Sequence, residues 1–187
     1  MVGLDRPGYK KISGIFARLE KWKLLIKCEQ LGLEPERNKF SPKRYLYDVG
    51  IAGQLRLKSL PNIDLKDLAS PTVRTPLGGL IENAVALSLK VQFGENLYGV
   101  KLSSRAEVDF VVKKEGQVFP IECKAALRFK RSYLWPLQTY LEKTRTQKKQ
   151  FGILLYGGMP MKENFESIWV APVYLSDEIG RLLIEKR

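Results

Sequence analysis

The spacing of apolar residues changes several times along the chain, and each change marks an element. Ile12, Ile15, Phe16, Leu19 and Trp22 recur at helical spacing and predict a helix over 12–23, with Ser13 as a candidate cap. Leu24 to Glu29 alternates weakly, and Gly32 to Ser41 is a polar, proline-containing loop. Lys43 to Tyr47 reads as a strand able to pair back, and Val49 to Leu55 as a short helical turn. This first quarter, 1–53, is expected to form a small helix-and-hairpin unit. Residues 54–77 carry three prolines and no strong period, so they read as a linker or embellished loop. After Gly78 and Gly79 the pattern sharpens. Leu80, Ile81, Ala84, Val85 and Ser88 line the inner stripe of a helix running to about Gln92. Strands are expected at Leu97 to Leu102, Ala106 to Lys113 and Gln117 to Lys124, then a helix over Leu134 to Thr146 with Pro136 in its first turn. Phe151 to Tyr156 is a continuous apolar run that predicts a buried strand, and Ile168 to Tyr174 a further one. Ser176, Asp177 and Glu178 are placed to open a terminal helix. Helix, three strands, helix, strand over 78–187 implies an α/β domain with a mixed sheet.

The hairpin between Ala106 and Lys124 carries the candidate chemistry. A two-residue loop at Glu115-Gly116 sets Lys114 opposite Gln117, and stepping back along the ladder sets Asp109 opposite Glu122. Opposite Cβ atoms lie roughly 4.5–5.5 Å apart, close enough for two carboxylates to share one divalent cation. Lys124 falls on the Glu122 face, with Glu107 as its expected opposite number. Phe119, Ile121, Cys123, Phe110 and Val112 take the other face as a core side. Facing carboxylates repel unless something neutralises them, and Mg²⁺ or Mn²⁺ is the hard cation that oxygen ligands suit. A lysine beside such an ion can orient water and offset charge on a phosphate. The alternative is a solvated hairpin face in which Glu107, Asp109, Glu122 and Lys124 form ordinary ion pairs.

Composition narrows the chemistry further. The 187 residues include no histidine, which excludes Ser-His-Asp and Cys-His catalysis and any His-ligated zinc. Two cysteines, Cys28 and Cys123, fit neither a disulfide framework nor a four-cysteine zinc site. There is no P-loop pattern, no secretory signal and no stretch long enough to span a bilayer, so a cytoplasmic protein without a membrane role is expected.

A net charge of +12 points to polyanions, nucleic acid first. More than half of that surplus lies between Lys124 and Lys149, where Arg128, Lys130, Arg131, Lys143, Arg145, Lys148 and Lys149 accompany Tyr133 and Trp135. This run reads as a phosphate-tracking rim with stacking aromatics, or else as a solvated basic face with Trp135 anchoring it to the core. The N-terminal helix and hairpin resemble half of a winged helix, with Lys10, Lys11, Arg18, Lys21 and Lys23 near the DNA backbone; a helix that docks on another domain is the alternative. Tyr45 and Tyr47 read as strand packing, Gln138 as a solvated helix position and Cys123 as inert packing.

The segments Tyr45-Leu46-Tyr47-Asp48-Val49-Gly50, Gly78-Gly79-Leu80-Ile81-Glu82-Asn83, Glu107-Val108-Asp109-Phe110 and Ile121-Glu122-Cys123-Lys124 stand in that order. Together they resemble the uncharacterised C-terminal domain that follows an AAA-type ATPase module in many prokaryotic proteins. That domain is in turn similar to the PD-(D/E)xK nuclease superfamily. The resemblance spans roughly residues 10 to 175 and implies a restriction-endonuclease-like α-β-β-β-α-β core. It also implies roles. Asp109 and Glu122 would be metal ligands with the Cys123 carbonyl as a third, Lys124 the catalytic lysine, and Glu82 the acid from the first core helix. The first strand acid stands in Glu-Val-Asp rather than in a Pro-Asp pair. An ATPase module or subunit is an expected partner beside nucleic acid. The competing expectation is a catalytically silent binding or protein-interaction module that regulates an ATPase.

Overall fold

The computed structural model describes residues 8–33, 40–57, 70–104, 106–144, 150–161, 165 and 167–185. Five helices and seven strands lie among them. In chain order these are α1 (Tyr9–Lys21), β1 (Leu25–Gly32), β2 (Lys43–Leu46), α2 (Val49–Leu57), α3 (Pro71–Phe93), β3 (Leu97–Lys101), β4 (Glu107–Lys114), β5 (Gln117–Lys124), α4 (Trp135–Lys143), β6 (Gly152–Tyr156), β7 (Ile168–Pro172) and α5 (Ile179–Glu185). The strands form one mixed sheet in the order β2-β1-β3-β4-β5-β6-β7. The pairs β1–β2, β3–β4 and β4–β5 are antiparallel, while β1–β3, β5–β6 and β6–β7 are parallel. The expected α/β class with a mixed sheet is observed.

Alternation along the strands builds two cores, one on each face of the sheet. Phe110, Val112, Phe119, Ile121 and Cys123 pack with Val85, Ala86, Leu89 and Phe93 of α3 and with Ile179 and Leu183 of α5. Val108, Val111, Leu154 and Val170 pack with Leu134, Leu137 and Tyr140 on the α4 side. The fully buried run Gly152–Tyr156 is the strand its continuous apolar pattern predicts, because it is covered on both faces.

Several boundaries differ from the sequence reading. The first core helix begins at Pro71 and carries Pro76 inside it, well ahead of the expected start after Gly78 and Gly79. Proline at the first turn loses no bond that the helix would make, and Pro76 sacrifices one backbone bond near that end. Residues 58–69 of the expected linker lie outside the described residues. β1 pairs with β3 as well as with β2, so the N-terminal hairpin continues the large sheet and is no free wing. α1 starts at Tyr9, with Gly8 in place of Ser13 at the cap. β7 ends at Pro172, and a 3-10 segment, Val173–Glu178, comes before α5, so Ser176 to Glu178 do not open the α-helix. No helix among the described residues is long and apolar enough to cross a membrane.

Candidate functional site

The β4–β5 turn determines how the carboxylates meet. Glu115 (φ 52°) and Gly116 (φ 74°) both adopt the left-handed region, as the two-residue hairpin turn of matching twist requires. Pairing then runs from Lys114↔Gln117 to Phe110↔Ile121 in the expected register. One step further, side chains take over from the backbone ladder. The Asp109 N–H donates to Glu122 Oε2 at 3.3 Å, and the Cys123 N–H donates to Asp109 Oδ2 at 3.0 Å. Each carboxylate thus holds the other's strand. On the far side of β4, Tyr98 pairs with Val111 and Val100 with Val108, so an extra residue bulges at the Asp109 position. Gly99 lies against this bulge, where a Cβ would come within 3.2 Å of the Asp109 carbonyl oxygen. A larger residue there would push β3 off the strand that carries the acid.

One expectation is overturned next to this bulge. Glu107 does not face Lys124. It pairs with Lys101 on β3 and takes the ammonium groups of Lys101 and Lys43 and, at 3.3 Å, the amide of Gln30. The β4–β5 pairing stops at Phe110↔Ile121, so the register that places Lys124 opposite Glu107 no longer applies there. Lys124 instead donates to Glu122 Oε1.

Glu82 enters from α3. Its neighbour Asn83, buried, donates to the Leu46 carbonyl at 2.8 Å and accepts from the Leu46 N–H at 2.7 Å. This clip satisfies a backbone amide pair and docks β2 on α3 at one register. Docking carries Tyr45 and Lys43 to the acid cluster. The Tyr45 hydroxyl donates to Glu82 at 2.7 Å. Lys43 Nζ lies 2.9 Å from Glu82, 2.7 Å from Glu107 and 3.3 Å from Asp109. The roles of Lys43, Asn83 and Glu107 are not apparent from the sequence. The nearest signal is that Lys43 stands two residues before the Tyr45–Gly50 segment.

Burial and charge set the protonation tendencies. Burial pushes Glu122 up to about 8, with Asp109 adding to the rise and Lys124 opposing it. Asp109 is likewise raised, by burial and by Glu82, against the pull of Lys43 and Lys124. Burial would raise Glu107 too, but its bonds to Lys101 and Lys43 reverse this and hold it at about 2. For Lys43 burial acts to lower the pKa, and Asp109, Glu82 and Glu107 overcome it, so the ammonium is held charged. Lys124 is raised against burial by Glu122. Burial raises both thiols, Cys28 to about 12, which leaves them inert as nucleophiles; Cys123 packs in the core as expected.

Glu82, Asp109, Cys123 and Lys124 line a cleft of about 410 Å³, together with Thr75, Gly78, Lys130 and Tyr133. Glu122 sits beneath it, 2% exposed. Phe129 stacks on Phe165 at 4.8 Å and meets Tyr156 edge-on, which anchors the loop and leaves Arg128 and Lys130 exposed. Arg131 is exposed over the Phe165 ring, and Lys143 is exposed in the last turn of α4. Trp135 is 54% exposed and does not anchor the basic run to the core. Gln138 is exposed, and Tyr45 is buried in the strand packing. Arg145, Lys148 and Lys149 lie outside the described residues.

Oxygen donors on two adjacent strands are the type that hard divalent cations take. Among the described residues no group of three acidic or thiol side chains is placed to hold a metal ion, and the three carboxylates that share one cation, Glu82, Glu107 and Asp109, have the Lys43 ammonium between them. Two carboxylates still fit Mg²⁺, which keeps several waters and commonly uses one or two carboxylates of the protein. The buried, mutually repelling Asp109 and Glu122 are short of positive charge, as such a site would be before loading. No curated protein and no solved structure matches the chain. The family described as Domain of unknown function (DUF4143) matches residues 77–175, more than half of the sequence and the part that contributes Glu82, Asp109, Glu122 and Lys124. A match over more than half of its length shows that the chain belongs to the DUF4143 family.

Proposed function

We propose that this domain is a metal-dependent, nuclease-like module of the PD-(D/E)xK kind, which hydrolyses phosphodiester bonds in DNA or RNA and serves an AAA-type ATPase. The observation that supports this reading is the reciprocal lock of Asp109 and Glu122 across β4 and β5, with Lys124 on Glu122, at the floor of a cleft edged by Lys130. Asp109, Glu122 and the Cys123 carbonyl would hold Mg²⁺ or Mn²⁺, with Glu82 acting through water. The ion would supply Lewis-acid polarisation of the phosphate and a more acidic water. Lys124, which lines the cleft, would offset the negative charge that develops on phosphorus oxygens, and its pairing with Glu122 keeps it protonated. Lys130, Arg128 and Arg131 would hold neighbouring phosphates, and Tyr133 offers a ring at the cleft wall.

A second reading, a silent nucleic-acid-binding or protein-interaction module, is favoured by Lys43, whose ammonium already serves Glu82, Glu107 and Asp109. A cleavage assay on linear, nicked and branched DNA and on RNA separates the two. Millimolar Mn²⁺ or Mg²⁺ is expected to support cutting that chelator abolishes, and Asp109→Ala or Glu122→Ala to remove metal uptake and cutting together while melting remains cooperative. A well-folded wild type with no metal uptake and no cutting puts the binding module first.

A further inference from the structure

Lys43 is the group that the nuclease-like reading does not use, although it touches two residues of the proposed metal site. An ammonium has three N–H donors. Here they meet one carboxylate each, Glu107 at 2.7 Å, Glu82 at 2.9 Å and Asp109 at 3.3 Å. The lysine reaches this point from β2, the outermost strand of the sheet, and from outside the segment that the family pattern matches.

We propose that Lys43 is a built-in competitor of the divalent cation, occupying Glu82 and Asp109 so that metal loads the site only as the ammonium withdraws. The inference rests on the metal-dependent reading and concerns how that same site is regulated. Three physical points carry it. First, an ion on Asp109 and the Lys43 ammonium draw on the same carboxylate, and two cations brought together there repel. Second, a single ammonium, that of Lys43, pairs with both Glu82 and Asp109, while Glu107 has Lys101 besides. A divalent ion in its place brings twice the charge to the two carboxylates that share it. Third, lysine suits the task. It is a point charge on a flexible stem, and its side chain is 18% exposed on the outermost strand of the sheet. The site would therefore stay loaded with its own cation at low metal and open as metal rises, or as a partner pulls on β2.

Calorimetric titration of the full chain with Mn²⁺, paired with melting curves, tests this. Lys43→Met and Lys43→Gln are expected to bind Mn²⁺ about tenfold or more tightly than wild type. Their melting temperatures should fall without metal and recover in millimolar Mn²⁺, but not in sodium chloride of equal ionic strength. Lys43→Arg, which keeps the charge, should bind no more tightly than wild type. A Lys43→Met protein that folds only with Mn²⁺ present supports the proposal. Adding Asp109→Ala to Lys43→Gln should abolish the tight binding. The proposal is overturned if both neutral variants bind Mn²⁺ no more tightly than wild type, or if the gain survives Asp109→Ala. Neither readout uses cleavage. A protein that shows the Lys43 effect yet cuts nothing keeps this inference and loses the nuclease reading. A protein that cuts with Mn²⁺ and lacks the effect loses this inference alone.

Discussion

Glu107 and Glu122 belong to the same hairpin and the same cluster, yet their surroundings push them in opposite directions. The Glu107 side chain is 30% exposed and takes two ammonium groups, and it is held at about 2. Glu122 is 3% exposed at the side chain, has Asp109 beside it and one ammonium, and is pushed up to about 8. The contrast shows that a lysine contact by itself does not keep a carboxylate ionised. The outcome depends on how many cations serve each acid and on how much water remains to share the charge. On one side of Asp109 the chain has supplied its own cations. On the other it has left a buried acid pair under-compensated, and that is the side where an external ion has something to offer.

The sharpest way to break this comparison is to remove the lysine on the Glu122 side. Lys124→Ala should leave metal uptake in place, since Asp109 and Glu122 remain, and slow cleavage by about a hundredfold, as expected for one lost transition-state charge contact. Single-turnover rates beside a metal titration check it, and equal loss of both would assign Lys124 to metal holding. Glu82→Gln should give a smaller loss than either Asp109→Ala or Glu122→Ala.

The pH dependence of stability sharpens the comparison, because the two glutamates have opposite signs. In the metal-free protein, folded Glu122 keeps its proton up to about pH 8, whereas the unfolded chain releases it near the ordinary 4.5. Its contribution to stability is therefore fully present below about 4.5 and is lost as pH rises to about 8. For Glu107 the contribution is present above about 4.5 and is lost as pH falls toward 2. Glu122→Gln should flatten the alkaline limb of the melting-temperature profile and Glu107→Gln the acid limb. Saturating Mn²⁺ should flatten the alkaline limb of wild type as well. An alkaline limb that persists in Glu122→Gln would show that another group sets it.

The smallest effect is expected at the rim. Charge reversal at Lys130 and Arg131 should weaken nucleic-acid binding by about tenfold at low salt and reduce the slope of affinity against salt, leaving melting unchanged. Binding that ignores salt would point to a protein partner instead.

The legible part of the site was local. Glu115 and Gly116 specify a two-residue turn, period-2 alternation fixes which face is buried, and these two facts alone bring Asp109 and Glu122 to neighbouring strands with Lys124 two residues on. The order of helices and strands after Gly78 was legible for the same reason, since period and turn chemistry are properties of short windows. What tertiary structure decided lies at long range. Lys43 is 39 residues from Glu82 and 66 from Asp109, and the clip from Asn83 to Leu46 that delivers it spans 37. No window contains both partners, so a lysine at 43 looks like any strand-end charge. The bulge at Asp109 was hidden too, because it arises from how β3 meets β4 around Gly99. Beyond that bulge Glu107 meets Lys43 and Lys101, while Lys124 meets Glu122. By itself the sequence determined which acids the protein has on this hairpin, while packing determined which cation each of them meets, because charge pairing across a sheet depends on contacts that only the assembled fold brings into range.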